Sequence, residues 1–216
     1  MPKVLTPAEA AALIPDGASV MVAGFQGAGA PMRITDALLE RGVRDLTIIS
    51  NDIPRSGGVG ALIEAGRVRK IIASFIGSNA VAQQKMIAGD LEVEFTPQGT
   101  FVERIRAGGA GLGGILTPTG LGTMVEECKR IITVAGKSYL LEEALRADFA
   151  LIHAHEADYA GNLTYRLTAQ NFNPVMAMAA DVVIAEATEF VPVGYISPDH
   201  VRTPGVLVDY IIERAI

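Results

Sequence analysis

One cysteine, Cys128, stands among 216 residues, and tryptophan is missing altogether. A lone thiol makes no intrachain disulfide and no cysteine-rich zinc site. Aromatic side chains are scarce, seven Phe and five Tyr, so Ala, Val, Ile and Leu must build the core. No apolar run reaches the ~18 residues that a membrane span needs. The opening Met1-Pro2-Lys3-Val4-Leu5-Thr6 lacks the apolar segment of a secretory leader. Together these features predict a cytoplasmic protein. Basic residues form no block, and 18 of them against 24 acidic ones leave a net charge of −6. That pattern disfavours binding along a nucleic-acid backbone. Hydrophobic residues make up 50% of the chain, enough for a sizeable core and an ordered fold. Glycine is what the chain has in excess, with 23 residues against a usual share of ~7%.

At roughly 100–200 residues per domain, the length predicts one large domain or a tight pair. The lack of a low-complexity linker or short-period repeat favours a single domain over residues 1–216. Thr6 and Glu9 form a capping box, with Pro7 at the first position of a helix reaching about Leu13. Ser19–Ala23 is apolar on both faces, as a buried parallel strand requires. A helix from about Met32 to Arg41 follows and stops at Gly42. The alternation continues with strand Leu46–Ile49, helix Gly60–Ala65, strand Lys70–Ser74, helix Ala80–Ala88, strand Glu92–Phe95 and helix Thr100–Ala107. Such alternation predicts an α/β fold, an open and mostly parallel sheet flanked by helices. The second half is less regular. Arg130–Val134 and Ser138–Leu141 read as a β-hairpin around Ala135-Gly136-Lys137, within a β-rich excursion near 115–145. Strands are expected at Asp148–His153 and Asp181–Ala185, with a helix over Asn171–Ala180 between them. A closing helix is expected over Val206–Arg214.

Two glycine clusters invite a chemical reading. Gly24-Phe25-Gln26-Gly27-Ala28-Gly29-Ala30-Pro31 joins a strand to a helix, where backbone N–H groups can cradle an anion. The dinucleotide fingerprint is half present, since Met32 stands where its last glycine belongs. Gly108-Gly109-Ala110-Gly111-Leu112-Gly113-Gly114 fits either a backbone wrapped around a ligand or a flexible loop. Gln98, in Thr96-Pro97-Gln98-Gly99-Thr100, follows a strand, on the side where open parallel sheets bind ligands. Its amide either faces a substrate or merely sits at a helix start. Gly136-Lys137-Ser138 resembles the end of a phosphate loop, but Ile131 occupies the place of the required first glycine. His153 and His155 point the same way from a strand, with no third ligand in view. Cys128, flanked by Glu126 and Glu127, lacks the electropositive setting of a reactive thiol. From these residues alone, a nucleotide- or sugar-phosphate-binding module stays open beside an enzyme.

Taken in order, several segments resemble the alpha subunit of family I CoA-transferases. They are Val22–Pro31, Thr96–Thr100, Arg104-Ile105-Arg106-Ala107-Gly108-Gly109-Ala110-Gly111, Thr117-Pro118-Thr119-Gly120, Ala160–Tyr165, Asn171-Phe172-Asn173-Pro174 and Thr203-Pro204-Gly205. Asn51-Asp52 is nearer to the acetate and butyrate–acetoacetate branch than to the succinyl-CoA:3-oxoacid branch. The resemblance implies transfer of CoA between an acyl-CoA and a short-chain carboxylic acid such as acetate, butyrate or acetoacetate. It implies ping-pong chemistry through a glutamyl-CoA thioester, with coenzyme A as substrate and no permanently bound cofactor or metal. The family's nucleophilic Glu lies in a beta subunit, in a Ser-Glu-Asn-Gly motif that this chain lacks. Glu103, Glu126, Glu127, Glu156 and Glu186 have no such context. A beta-subunit partner in an α2β2 assembly is therefore implied. Gln98 matches the glutamine that lines the thioester site, and Gly24, Phe25, Gln26, Gly27, Ala28, Gly29 and Ala30 match the CoA-binding signature. Ala23 departs from that signature, which commonly has glycine there. A basic residue in the acid pocket would favour a dicarboxylate, and Arg33, Lys70 and Arg104 are the candidates.

Overall fold

The computed structural model describes residues 1–212. In chain order the elements are β1 (Lys3–Leu5), α1 (Pro7–Ala12), β2 (Ser19–Val22), α2 (Met32–Arg41), β3 (Leu46–Ile49), α3 (Gly58–Glu64), β4 (Val68–Ala73), α4 (Ala80–Ala88) and β5 (Glu92–Phe95). Then come α5 (Gln98–Gly109), β6 (Gly114–Thr117), β7 (Ile131–Val134), β8 (Lys137–Glu143), β9 (Ala147–Asp158), β10 (Leu163–Thr164), α6 (Asn173–Met176), β11 (Ala180–Val191) and β12 (Tyr210–Ile212). The main sheet has the order β1-β12-β11-β9-β2-β3-β4-β5, with β10 antiparallel on β9 and every other pairing parallel. A separate antiparallel sheet, β6-β8-β7, is the predicted β-rich excursion.

Alternation along the central strands divides the core in two. Val20 and Val22 of β2, Leu46 and Ile48 of β3, and Phe149 and Leu151 of β9 pack with α1 to α4 on one face. Met21, Ile49, Ala150 and Ile152 point the other way, onto Phe101 and Ile105 of α5 and Val175 and Met176 of α6. Both faces are covered, which is why these strands are apolar throughout. From β2 the chain builds outward through β3, β4 and β5. It returns as β9 on the other side of β2 and builds the opposite way through β11 and β12. The strand order therefore reverses between β2 and β9. In open parallel sheets, that reversal point at the carboxyl ends of the strands is where ligands bind.

Two expected helices are corrected. Over Asn171–Ala180 the helix is only α6, four residues long, because Asn171 leaves helical geometry (φ 16°, ψ −116°) and β11 already begins at Ala180 beside Ala147 of β9. Over Val206–Arg214 there is a single 3-10 turn at Gly205–Leu207. It is followed by β12, inserted between β1 and β11, and residues 213 and 214 lie outside the described ones. The hairpin forms as predicted, with Ala135 and Gly136 at φ 48° and 75° as its two-residue turn, so Gly136-Lys137-Ser138 is turn and strand. The second glycine cluster holds elements close together. A side chain on Gly108 would run into the Leu145 carbonyl, one on Gly109 would stand 2.6 Å from Met178 Cβ, and one on Gly114 would meet the Glu142 carbonyl. Gly108 and Gly109 belong to α5, which runs longer than the sequence suggests.

Candidate active site

The loop after β2 leaves the sheet at the reversal point. Phe25 and Ala28 exchange two backbone hydrogen bonds of 3.0 and 2.9 Å, closing a two-residue turn at Gln26 and Gly27. Both turn residues have positive φ, 48° and 87°. For glycine that conformation is free; for Gln26 it is strained and must be held. Asp52 holds it, since its Oδ2 accepts the Gln26 backbone N–H at 3.1 Å and the Gln26 Nε2 at 2.8 Å. Gln26 Nε2 also donates to Ser78 Oγ at 3.3 Å.

From Asp52 the contacts run on to Gln98. Asn51 Nδ2 donates to Asp52 Oδ1 at 2.8 Å, and Gln98 Nε2 donates to Asn51 Oδ1 at 3.0 Å. Ser74 Oγ donates to the same Asn51 oxygen at 3.0 Å. Asn51 and Asp52 are buried directly after β3, whereas Gln98 is exposed as the first residue of α5. Four strands thus deliver polar groups to the same end of the sheet: β2 through Gln26, β3 through Asn51 and Asp52, β4 through Ser74, and β5 through Gln98. These residues, with Phe25 and Phe75, line an open cleft of ≈ 340 Å³. A neighbouring cavity of ≈ 430 Å³ shares Gln26 and Asp52 and adds Gly24, Gly27, Ala30, Ser50 and Arg55 among its lining residues.

Of the residues singled out in the sequence, Gly24, Gln26, Gly27 and Ala30 face the larger cavity, while Phe25, Gln26 and Gln98 face the cleft. Ala28 and Gly29 line neither; they anchor the loop. The Ala28 carbonyl accepts from Asn171 Nδ2 at 2.9 Å, and the Gly29 carbonyl accepts from Asn173 Nδ2 at 3.1 Å. A side chain on Gly29 would strike the Ala169 carbonyl, and one on Gly24 would come within 3.0 Å of Ala30 Cβ. At Gly27 it would meet open space. Gly24 and Gly29 thus serve packing, and Gly27 alone leaves open room above the backbone.

The chemistry of Asn51, Asp52 and Ser74 alone assigns them no role in the sequence, although polar residues following the apolar strands are a visible signal. The three candidate cations are all engaged away from the cleft. Arg33 pairs with Glu186, Lys70 with Glu92 and Glu94, and Arg104 with Glu94. Burial pushes the Glu186 carboxyl up from its ordinary value, against the Ile34 N–H and the Arg33 guanidinium. His153, on β9 nearby, is held down by burial and then by Arg33. His155 lines a different cavity, with His200, Arg166 and Arg202. Among the described residues no group of three or more His, Cys, Asp and Glu is placed to hold a metal ion. No helix among them is long and apolar enough to cross a membrane.

Comparison with known proteins points the same way. The family model described as Coenzyme A transferase matches residues 4–214. The chain is 54% identical over 211 residues to the acetate CoA-transferase subunit alpha of Escherichia coli K12, covering 97% of this chain and 96% of that one. It is 49% identical to the acetoacetyl-CoA:acetate/butyrate CoA transferase alpha subunit of Clostridium acetobutylicum, covering 92% of each. An acyl-CoA transferase from E. coli O157:H7, solved as a thioester complex with CoA, superposes with a TM-score of 0.87 at 25% identity. That match covers 98% of this chain and 47% of the other, so the present chain spans about half of it. On sequence, over nearly its whole length, and on fold, this chain belongs to the coenzyme A transferase family.

Proposed function

We propose that this chain is the alpha-type half of a cytoplasmic CoA-transferase, a single domain that moves CoA between an acyl-CoA and a short-chain acid such as acetate, butyrate or acetoacetate. The observation that carries the reading is the Gln98 amide, fixed by Asn51 in an open cleft at the sheet's reversal point. A beta-type partner, in an α2β2 assembly, supplies the nucleophilic glutamate. Its carboxylate attacks the acyl-CoA carbonyl and expels the CoA thiolate, leaving a mixed anhydride. The thiolate then attacks the glutamyl carbonyl, giving a glutamyl-CoA thioester and releasing the first acid. A second acid reverses both steps and leaves as its CoA thioester.

Each attack places negative charge on a carbonyl oxygen. A donor already aimed at that oxygen stabilises it without reorganisation. Gln98 Nε2 carries two N–H groups, and one is committed to Asn51, which fixes the direction of the other. Gln98 also sits at the N-terminal end of α5, whose free N–H groups favour negative charge. The turn at Gln26 and Gly27 lies beside the cleft and presents backbone to CoA, which enters as substrate. Phe25, Phe75 and Phe95 support the partner assignment. They stand 40, 50 and 49% exposed after β2, after β4 and at the end of β5, an apolar rim suited to a second subunit.

In the complex with its beta chain, Gln98→Ala should lower kcat by about tenfold to a thousandfold, the usual cost of one oxyanion donor. The complex should form as before, because the side chain is exposed. Steady-state assay of acetyl-CoA against butyrate and acetoacetate checks this, and unchanged turnover removes Gln98 from the chemistry.

A further inference from the structure

Asp52 is a buried carboxylate, 5% exposed, and it lines both cavities of the site. Its Oδ1 accepts one N–H and its Oδ2 accepts two, the pattern of an ionised group. All three donors are neutral, and no ion pair of Asp52 occurs among the described residues. Buried charges are ordinarily paired. The cations that might have served an acid's second carboxylate are held elsewhere, Arg33 on Glu186, Lys70 on Glu92 and Glu94, and Arg104 on Glu94. Among the described residues the lining of the cleft at Gln98 carries no basic side chain; Arg55 is exposed and, of the two cavities, lines the larger. The cleft therefore combines an amide donor, two phenylalanines and one uncompensated negative charge.

We propose that Asp52 sets the acid specificity, admitting acids with one carboxylate to the cleft and rejecting acids that bring a second. The inference rests on the CoA-transfer reading above. Every acid offers its reacting carboxylate to Gln98, so repulsion on that group cancels when acids are compared. The far end of the acid makes the difference. A methyl or acetyl end meets Phe25 and Phe75, whereas a second carboxylate shares their wall with Asp52 and finds no cation. For like charges a few ångströms apart in a partly dry site, this discriminates by about tenfold to a thousandfold.

The test uses the complex with its beta chain and acetyl-CoA as donor. It compares kcat/KM for succinate and for succinamate, in which a neutral amide of the same shape replaces one carboxylate. The natural chain should prefer succinamate by about tenfold or more. Asp52→Asn should shrink that preference by about tenfold or more, through a gain on succinate relative to succinamate. Equal use of the two acids by the natural chain overturns the filter, and decides the matter if the Asp52→Asn complex does not assemble. A fall on both acids in proportion also overturns it, leaving Asp52 as a scaffold for Gln26 and Asn51. Transfer to no acid at all, butyrate and acetoacetate included, overturns the CoA-transfer reading and the filter with it.

Discussion

Glycines 27 and 29 lie two residues apart and do different work. Both have positive φ, 87° and 68°, but a methyl on Gly27 enters open space while one on Gly29 enters the Ala169 carbonyl. Gly27→Ala then carries the cost of a left-handed alanine, about 1–2 kcal/mol. Gly29→Ala adds a backbone collision and should cost about 3 kcal/mol or more. Thermal denaturation of the complex should show the larger fall in Tm for Gly29→Ala. The KM for acetyl-CoA should rise more for Gly27→Ala, which stands where the proposed function has CoA approach. Equal effects of the two substitutions on both quantities would show that the loop acts as one undivided structural turn. Residue by residue, much of the site was legible. The sequence pattern puts Gln98 after a strand and the turn at 24–31 between a strand and a helix, where the structure has them. The partners of these residues were not legible, because Gln26, Asp52 and Gln98 meet only through the sheet, and chain spacing does not show which strands are neighbours.

Among the elements, α6 is the clamp of the site. Asn173 is fully buried at its start. Its Nδ2 donates to the carbonyls of Gly29 and Ala169, and its Oδ1 accepts the His153 N–H of β9 at 2.8 Å. One side chain thereby ties the loop after β2 to the strand beside it. Asn173→Ala leaves those buried groups without partners, at about 1–3 kcal/mol each before relaxation. It should lower Tm of the complex and raise the KM for acetyl-CoA together, because the loop loses its anchor. Loss of stability with unchanged KM would separate the clamp from the site. The short length of α6 also explains why the expected helix over 171–180 fails. Ala177, Met178 and Ala179 favour a helix locally, but the chain must be extended by Ala180 to pair with β9. β12 is the same case, since a helix is expected over Val206–Arg214 yet Tyr210–Ile212 fills the gap between β1 and β11. In both places a long-range pairing overrides local preference, whereas α2 and α4, which only cover a face, formed where the pattern put them.

At the scale of the whole molecule, the feature that could not be read from the chain is the return of β9 to the side of β2. That return creates the reversal point, places His153 and Asn173 behind the loop, and aims the carboxyl ends of β2, β3, β4 and β5 at one cleft. The cleft is open, rimmed by half-exposed phenylalanines, and among the described residues holds an amide donor but no activated nucleophile. Glu186, whose carboxyl burial pushes up against Arg33 and Ile34, is committed to fixing the start of α2. This arrangement fits the proposed half of an active site. The most direct measurement is mass spectrometry of the complex after acetyl-CoA is added without an acceptor acid, with this chain alone as control. The account predicts a CoA adduct on the partner chain, lost on hydroxylamine treatment, no adduct on this chain, and no CoA transfer by this chain alone. A CoA adduct on one of this chain's own glutamates, or turnover without a partner, would contradict it.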